Sequence, residues 1–410
     1  MLTYLEVTGF KSFEKISLSL GNLNLFVGTN ASGKSNFFDA LRVLQGIGYG
    51  LTIEEVLNGK PKSSNSDVWE PIRGGSARAQ FQGHPQENLT ADERIVRFNV
   101  VIKPNKDSGE LLNYQIGFSP LTGSVRSESF STSRLNIYDS APVENRPQDP
   151  FFAVRYFTGR KGRQPHPSVE KSRPVLHQML NNEMVTKSDR ESIQSCIRAL
   201  SNTQRIDPVP AFLREYSQAP SVRRMGERGE NFAALVRTIL RDEKSKAAYV
   251  SWLQKLTPTE VEDVTVLSGA LGEALFALKE RGVDYPAPIL SDGTLRFAAI
   301  TAAFFQPDMP NLLTIEEIEN AIHPTRLRLL VELLKSQAQP DRQIMATTHS
   351  PTVLSWLKES DYRTTFFCKR NDQTGASEIT PLNKIPRLLE VAKKQPVGDL
   401  FAEGWLEGAL

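Results

Sequence analysis

Cysteine is nearly missing from this chain: only Cys196 and Cys368 occur among 410 residues. They lie far apart and outside any metal-ligand spacing, so no disulfide framework is implied. No run of about 18 apolar residues occurs, and no transmembrane helix or membrane partner is expected. The opening residues, MLTYLEVTGFKSFEK, lack the charged-then-apolar layout of a secretory signal, which predicts a cytoplasmic protein. An excess of one charge is absent too. With 49 basic and 47 acidic residues the net charge is +2, which neither requires nor excludes a nucleic-acid partner. Internal repeats are lacking. What remains is an ordinary globular composition, 39% apolar and 23% charged, with length for one large or two modest cores.

Residues 2–27 alternate apolar and polar positions and close with an apolar strand, Leu23–Val27. A turn and a helical pattern follow, with Phe37, Ala40, Leu41 and Leu44 on one face. Residues 48–95 read as loop, 93–104 and 111–118 as strands, and 119–175 as irregular, exposed chain rich in Ser, Pro, Arg and Gln. Helical periodicity over 175–202 and 228–256 predicts a helical lobe. Beyond 286 come a Ser-capped helix from about 291, a strand Leu312–Ile315, a helix from Pro324 and a strand Gln343–Thr347. Strands alternating with helices predict an α/β core with a mostly parallel sheet. The division expected is 1–170 and 286–410 for the core and 171–285 for the inserted lobe.

Four elements carry chemistry. The octapeptide GTNASGKS (Gly28, Thr29, Asn30, Ala31, Ser32, Gly33, Lys34, Ser35) fits G-x-x-x-x-G-K-[ST] between a strand and a helix, the context of a P-loop. Its backbone N–H groups cradle phosphates, Lys34 reaches the β- and γ-phosphates, and the Ser35 hydroxyl suits Mg²⁺. Asn36 follows on the helix. LLTIEE (312–317) ends an apolar strand in carboxylates, with Glu316 expected at the metal and Glu317 as general base. Taken alone it is equally a strand running into an acidic helix cap, and Glu319 reads as a helix-start carboxylate. LSDGT (290–294) supplies Ser291, Asp292 and Gly293; alone it is a good turn and cap, with Gly293 expected to leave room for a phosphate. TTHSP (347–351) delivers His349 at a strand end, to donate to a γ-phosphate or to hold the attacking water.

The order of these elements resembles the ABC-type ATPases, and among them the RecF, SMC and OLD-like branch. LEVTGFKSFEKISLSLGNLNLFVGTNASGKSNFFDALRVL, IEEIENAIHP (315–324) and THSP carry that resemblance; RIDPVPAFLRE (205–215) and GENFAALVRTIL (229–240) are similar to the helical lobe of small stand-alone ATPases of the OLD-like group. The resemblance implies an ABC-type ATPase head with an inserted helical lobe, ATP and Mg²⁺ as ligands, and a homodimer or higher oligomer. In such a dimer the Ser291–Gly293 turn of one copy completes the ATP site of the other. Lys11 and Ser12 sit where related ATPases bring an N-terminal strand against the nucleotide. Asp292 replaces the glycine of the transporter signature, and either Gln80 or Gln82 supplies the glutamine loop.

For partners, FFAVRYFTGRKGRQP (151–165) interleaves Arg155, Arg160, Lys161 and Arg163 with aromatics, a pattern that suits nucleic acid but also a core strand with a solvated turn. Arg223, Arg224 and Arg228 form a second basic group. No D-x-D follows a strand after His349, so no Toprim nuclease centre is expected. The apolar tail residues Leu400, Phe401, Trp405 and Leu406 suit either docking of an effector nuclease or toxin, or a tail folded onto its own core. The function expected is an ATP-hydrolysing dimeric switch in antiphage defence or DNA repair; the alternative is a nucleotide-sensing scaffold that holds or releases a toxic effector.

Overall fold

The apolar–polar alternation after Leu2 folds as an antiparallel pair, β1 (Leu2–Phe10) and β2 (Phe13–Ser19), with Val7 opposite Ile16. In this computed structural model the described residues are 1–61, 68–83, 95–104, 109–140, 149–157, 166–218, 222–256 and 261–410. Contacts divide the chain into two units: Met1–Gly21, Gly28–Thr203 and Phe367–Thr380 form the first, and Asn22–Val27, Gln204–Phe366 and Pro381–Leu410 the second. The core strand ahead of the P-loop, β3 (Leu23–Val27), belongs to the second unit.

In the first unit β1 and β2 continue into an antiparallel sheet with β4 (Val96–Ile102), β5 (Leu112–Ser119), β6 (Ser124–Thr132), β7 (Asn136–Ser140), β8 (Phe151–Tyr156) and β9 (Ser168–Glu170), in the order β2-β1-β4-β5-β6-β7-β8-β9. Half of each strand faces the core, where Leu5, Val7, Val100, Tyr114 and Val154 are fully buried and Phe98 stacks on Phe118. Helices α1 (Lys34–Gly48) and α4 (Lys187–Ser201) pack on each other in the same unit.

Two expectations are corrected here. The stretch 119–175 carries β6 to β9 rather than irregular chain. In β6 only Val125 and Phe130 are buried apolar residues, and the buried position between them is Glu128, so the period-2 signal is too weak to see. The stretch 48–95 holds α2 (Ile53–Asn58), closed by a reciprocal capping box between Thr52 and Glu55. Glu128 itself accepts N–H groups from Val175 and Leu176, which open α3 (Val175–Leu180), and the Tyr138 hydroxyl. Burial pushes its carboxyl up to about 7, against those hydrogen bonds.

The second unit holds the parallel strands β14 (Leu312–Ile315), β15 (Gln343–Thr348) and β3, side by side and in register: Ile315 pairs with Ala346, and Thr348 with Val27. β10 (Thr203–Ile206) lies beyond β14, and β16 (Thr365–Arg370) begins beside β3, with Phe366 stacked on Phe26 at 5.0 Å. β17 (Ser377–Pro381) follows β16 at the end of the order. A second, antiparallel sheet comprises β11 (Val261–Ser268), β12 (Ala274–Glu280) and β13 (Val283–Pro286). It packs with α6 (Phe232–Ile239) and α7 (Glu243–Leu256); the short α5 (Pro210–Leu213) packs on α8 (Asp292–Ala303). In α9 (Pro324–Gln337) the face Leu327, Leu330, Val331 and Leu334 is buried as its spacing predicts.

Residues 171–285 therefore do not form one helical lobe. α3 and α4 lie in the first unit, α5 to α7 in the second, and four strands accompany them. The tail takes the second of its two readings and folds onto its own core. After α10 (Pro351–Ser355) and α11 (Leu388–Val391), the short α12 (Val397–Ala402) packs on α10, and α13 (Trp405–Gly408) packs on α12. Leu400, Phe401 and Leu406 are buried there rather than displayed. Among the described residues no helix is long and apolar enough to cross a membrane.

Candidate functional site

Val27 ends β3, and the next eight residues form the P-loop. Thr29, Asn30 and Ala31 are exposed at its tip while Gly28, Ser32, Gly33 and Lys34 are buried. Ala31 and Gly33 take left-handed backbone angles, φ 63° and 103°. At Gly33 a Cβ would lie 2.5 Å from Ser377 Oγ and 3.2 Å from Ser12 Oγ, so only glycine fits. α1 starts with no side-chain cap and no acidic residue in its first turn, so its positive dipole end faces the loop without a neighbouring carboxylate in that turn. Lys34 Nζ folds back over the loop, donating to the carbonyls of Gly28 (2.6 Å) and Thr29 (2.7 Å).

Lys11 and Ser12 brace this loop. The Lys11 ammonium pairs with Asp39 of α1, both side chains almost wholly buried, and donates to the Arg73 carbonyl at 2.8 Å. Burial lowers its pKa and Asp39 opposes that. Lys11 is thus committed to α1. Ser12 Oγ accepts from Asn36 Nδ2 at 2.7 Å, and the Ser12 carbonyl accepts the Ser377 N–H at 2.7 Å. Of the two glutamines, Gln80 bridges Phe10 beside Lys11, whereas Gln82 bonds Arg78 and the Ala77 carbonyl.

The acidic loop lies in the second unit. Glu317 follows β14 with φ 45°, a backbone state costing a non-glycine residue about 1–3 kcal/mol. Remote groups hold it there. Its N–H donates to Thr347 Oγ1 (2.8 Å), and Ile318 N–H to the Thr347 carbonyl (3.1 Å). Beneath them Arg296 of α8, 5% exposed, donates to the carbonyls of Glu316 (3.0 Å), Glu317 (3.3 Å) and Pro208 (2.8 Å) and pairs with Asp207 (3.3 Å). The Glu317 carboxylate accepts from Asn320 at 2.7 Å, and Glu316 meets Arg205 at 3.1 Å. His349 leaves β15 with both its N–H and its ring Nδ1 on Glu319 Oε1, at 2.6 and 3.0 Å. Glu319 is therefore no mere helix-start carboxylate. Its partner comes from 30 residues downstream, and nothing in the local sequence marks that pairing.

Ser291 caps α8 as expected, its Oγ accepting the Thr294 N–H at 3.2 Å. Asp292, half exposed, pairs with Arg214 at 2.5 Å, and Arg214 also holds the Leu290 carbonyl. Gly293 has a packing role of its own. A Cβ there would lie 2.3 Å from the Ala321 carbonyl, so its missing side chain makes room for the loop after Glu317. Arg205, Arg296, Glu319 and Thr347 are the residues that sequence reasoning missed.

The basic stretches are described only in part. Phe152 and Tyr156 are core residues of β8, and Arg155 lies 3.6 Å from Asp139; Arg160, Lys161 and Arg163 lie outside the described residues. Arg223 pairs with Asp308 at 2.8 Å, and Arg224 Nε donates to Gln204. Among the described residues no group of three or more His, Cys, Asp or Glu forms a metal site by itself. Burial pushes the Cys368 thiol up to about 12, which leaves it inert.

Comparison with known proteins identifies the family and the fold. A family model described as "AAA domain, putative AbiEii toxin, Type IV TA system" matches residues 23–355, well over half of the chain. An "ATP/GTP phosphatase" of Helicobacter pylori is 20% identical over 397 residues, covering 91% of this chain and 93% of its own. Among solved structures, an Smc head bound to the C-terminal winged-helix domain of ScpA superposes with a TM-score of 0.52 at 16% identity, covering 92% of this chain and 96% of that one. An Smc head with an extended coiled coil, bound to the C-terminal domain of ScpA derived from Pyrococcus furiosus, gives 0.51 at 12%, covering 96% and 99%. The fold is that of an SMC-type ATPase head. The chain belongs to the AAA family described as putative AbiEii toxin, Type IV TA system, and it is an ATP-hydrolysing enzyme.

Proposed function

We propose that this ATPase is an ATP-gated switch that works as a dimer. One observation carries the reading: β14, β15 and β3 are adjacent and parallel, and their carboxyl ends lead directly into Glu316–Glu317, His349 and Gly28. That edge is where open α/β sheets bind ligands. Gly28 to Asn36 take the triphosphate, with loop N–H groups on the phosphate oxygens and Lys34 exchanging the Gly28 and Thr29 carbonyls for the β- and γ-phosphates. Glu317 accepts a proton from water as the water oxygen attacks the γ-phosphorus; the bond to the β-phosphate oxygen breaks and ADP leaves. His349 faces the γ-phosphate or the attacking water. Ser291 to Gly293 of a second copy close the site, with Ser291 reaching the phosphate and Gly293 keeping its own turn tight. Lys11 and Ser12 serve by holding α1 in place.

The Ser35 hydroxyl and the Glu316 carboxylate are a donor set suited to Mg²⁺, which takes one or two protein oxygens and completes its shell with phosphates and water. Mg²⁺ supplies charge neutralisation on the phosphates. Glu316 meets Arg205 at 3.1 Å, so a Mg²⁺ held by this carboxylate would lie beside a guanidinium.

Light scattering on Glu317→Gln, with and without Mg-ATP, tests the switch. A stable dimer or larger assembly formed only with ATP supports it. Nucleotide binding with no change of mass opposes it and favours the scaffold that holds a toxic effector, a reading that the toxin–antitoxin description of the family supports. Roles in antiphage defence or DNA repair, with nucleic acid or an effector nuclease, follow from the family resemblance alone. Turnover stimulated by DNA would support them.

A further inference from the structure

We infer that Glu319 is the positioning residue of His349, an inference that rests on the reading of His349 as a residue facing the γ-phosphate or the attacking water. Glu319 sits two residues beyond Glu317, yet its carboxylate turns toward the end of the neighbouring strand. Its side chain is only 9% exposed, and Oε2 is buried with no hydrogen-bond partner among the described residues. Burying a carboxylate with one oxygen unsatisfied is costly, and such a group persists when it is needed where it stands. The His349 backbone N–H donates to Oε1 at 2.6 Å, and the ring Nδ1 lies 3.0 Å from the same oxygen.

A carboxylate accepts only, so an Nδ1 this close to Oε1 is better placed with its proton on than with its lone pair facing the oxygen. The contact favours the Nδ1–H tautomer, and the backbone hydrogen bond holds the residue at the strand end. Nε2 is left without a partner among the described residues on a side chain 44% exposed. Neutral His349 therefore presents Nε2 as an acceptor, suited to hold the attacking water. This is the logic by which a buried carboxylate orients a histidine in hydrolases. The loop geometry supports it: Asn320 N–H bonds the Glu317 carbonyl and Ile322 N–H the Glu319 carbonyl, so one tight turn presents Glu317 and Glu319 in different directions.

A double-mutant cycle on the full chain tests this, with turnover, KM for ATP and thermal unfolding measured for Glu319→Ala, Glu319→Gln, His349→Ala and the combinations. Glu319→Ala is expected to lower kcat about 10- to 100-fold. KM should stay within about twofold, because the affected interaction forms in the transition state. Glu319→Gln keeps an oxygen for both N–H groups while losing the charge, and should fall between wild type and Glu319→Ala. In the His349→Ala background neither Glu319 change should lower kcat further. A purely structural Glu319 would instead reduce kcat equally in both backgrounds, and that additive result overturns the proposal, as does wild-type turnover by Glu319→Ala. Wild-type turnover by His349→Ala would overturn the underlying reading of the histidine, a separate and distinguishable failure.

Discussion

The P-loop and the acidic loop solve the same problem, an irregular backbone held in one conformation, in opposite ways. From Gly28 to Ser35 the turns are made mostly by local residues: glycines permit them, Lys34 bonds carbonyls five and six residues back, and α1 supplies its own N-terminus, while Ser12 and Ser377 pack against Gly33 from outside. The loop after β14 relies on other segments. Glu317 keeps φ 45° because Thr347, Arg296 and Asn320 hold it, and Arg296 in turn rests on Asp207 and Pro208. A loop of the first kind is written in consecutive residues. One of the second kind is written across more than a hundred.

The largest break in this comparison should come from Arg296. Arg296→Ala leaves three carbonyls and Asp207 without their buried donor, a loss of about 3–5 kcal/mol by analogy with buried pairs from which one partner is removed. Glu317 is expected to drift from its position, lowering kcat about 100-fold. ATP affinity, set by the P-loop, should change little. Equilibrium unfolding, steady-state kinetics and nucleotide binding on the same preparation check all three. A parallel loss of ATP affinity would show that the P-loop is less locally held than described.

A smaller effect separates stability from turnover in the first unit. Glu128 has its pKa raised by burial to about 7, so the folded unit holds a proton that the unfolded chain releases at lower pH. The stability this confers is complete below the ordinary glutamate range and is lost as pH rises through about 7, a change of roughly 3 kcal/mol. Denaturant unfolding of wild type and Glu128→Gln at pH 5 and pH 8 measures it. Glutamine cannot titrate, and its amide turns an N–H toward the Val175 N–H, so the variant should be weaker at pH 5 and close part of the gap at pH 8. Parallel pH dependences would contradict the assignment.

The same local–remote distinction explains what the sequence disclosed. The P-loop, the Ser291 cap, the Leu327–Leu334 stripe and the strands at Leu312 and Gln343 all depend on neighbours in the chain, and all are legible. The long antiparallel sheet was half hidden because β6 spends its core positions on Val125, Glu128 and Phe130 among serines. The packing of Gly293 was hidden because the group it accommodates, the Ala321 carbonyl, is 28 residues away. The Glu319–His349 pair escaped for the same reason. The apolar tail, equally suited to a partner or to its own core, could be assigned only once α10 was seen beneath it.

The central claim is that each ATP site needs the P-loop of one copy and the Ser291 turn of another. Mixing two inactive variants, Lys34→Ala and Ser291→Arg, tests it most directly. In a mixed two-fold dimer one of the two sites pairs an intact P-loop with an intact turn, so the mixture should recover roughly a quarter of wild-type turnover. A mixture as inactive as its parents, with ATP binding retained by Ser291→Arg and subunits shown to exchange, would contradict the shared site.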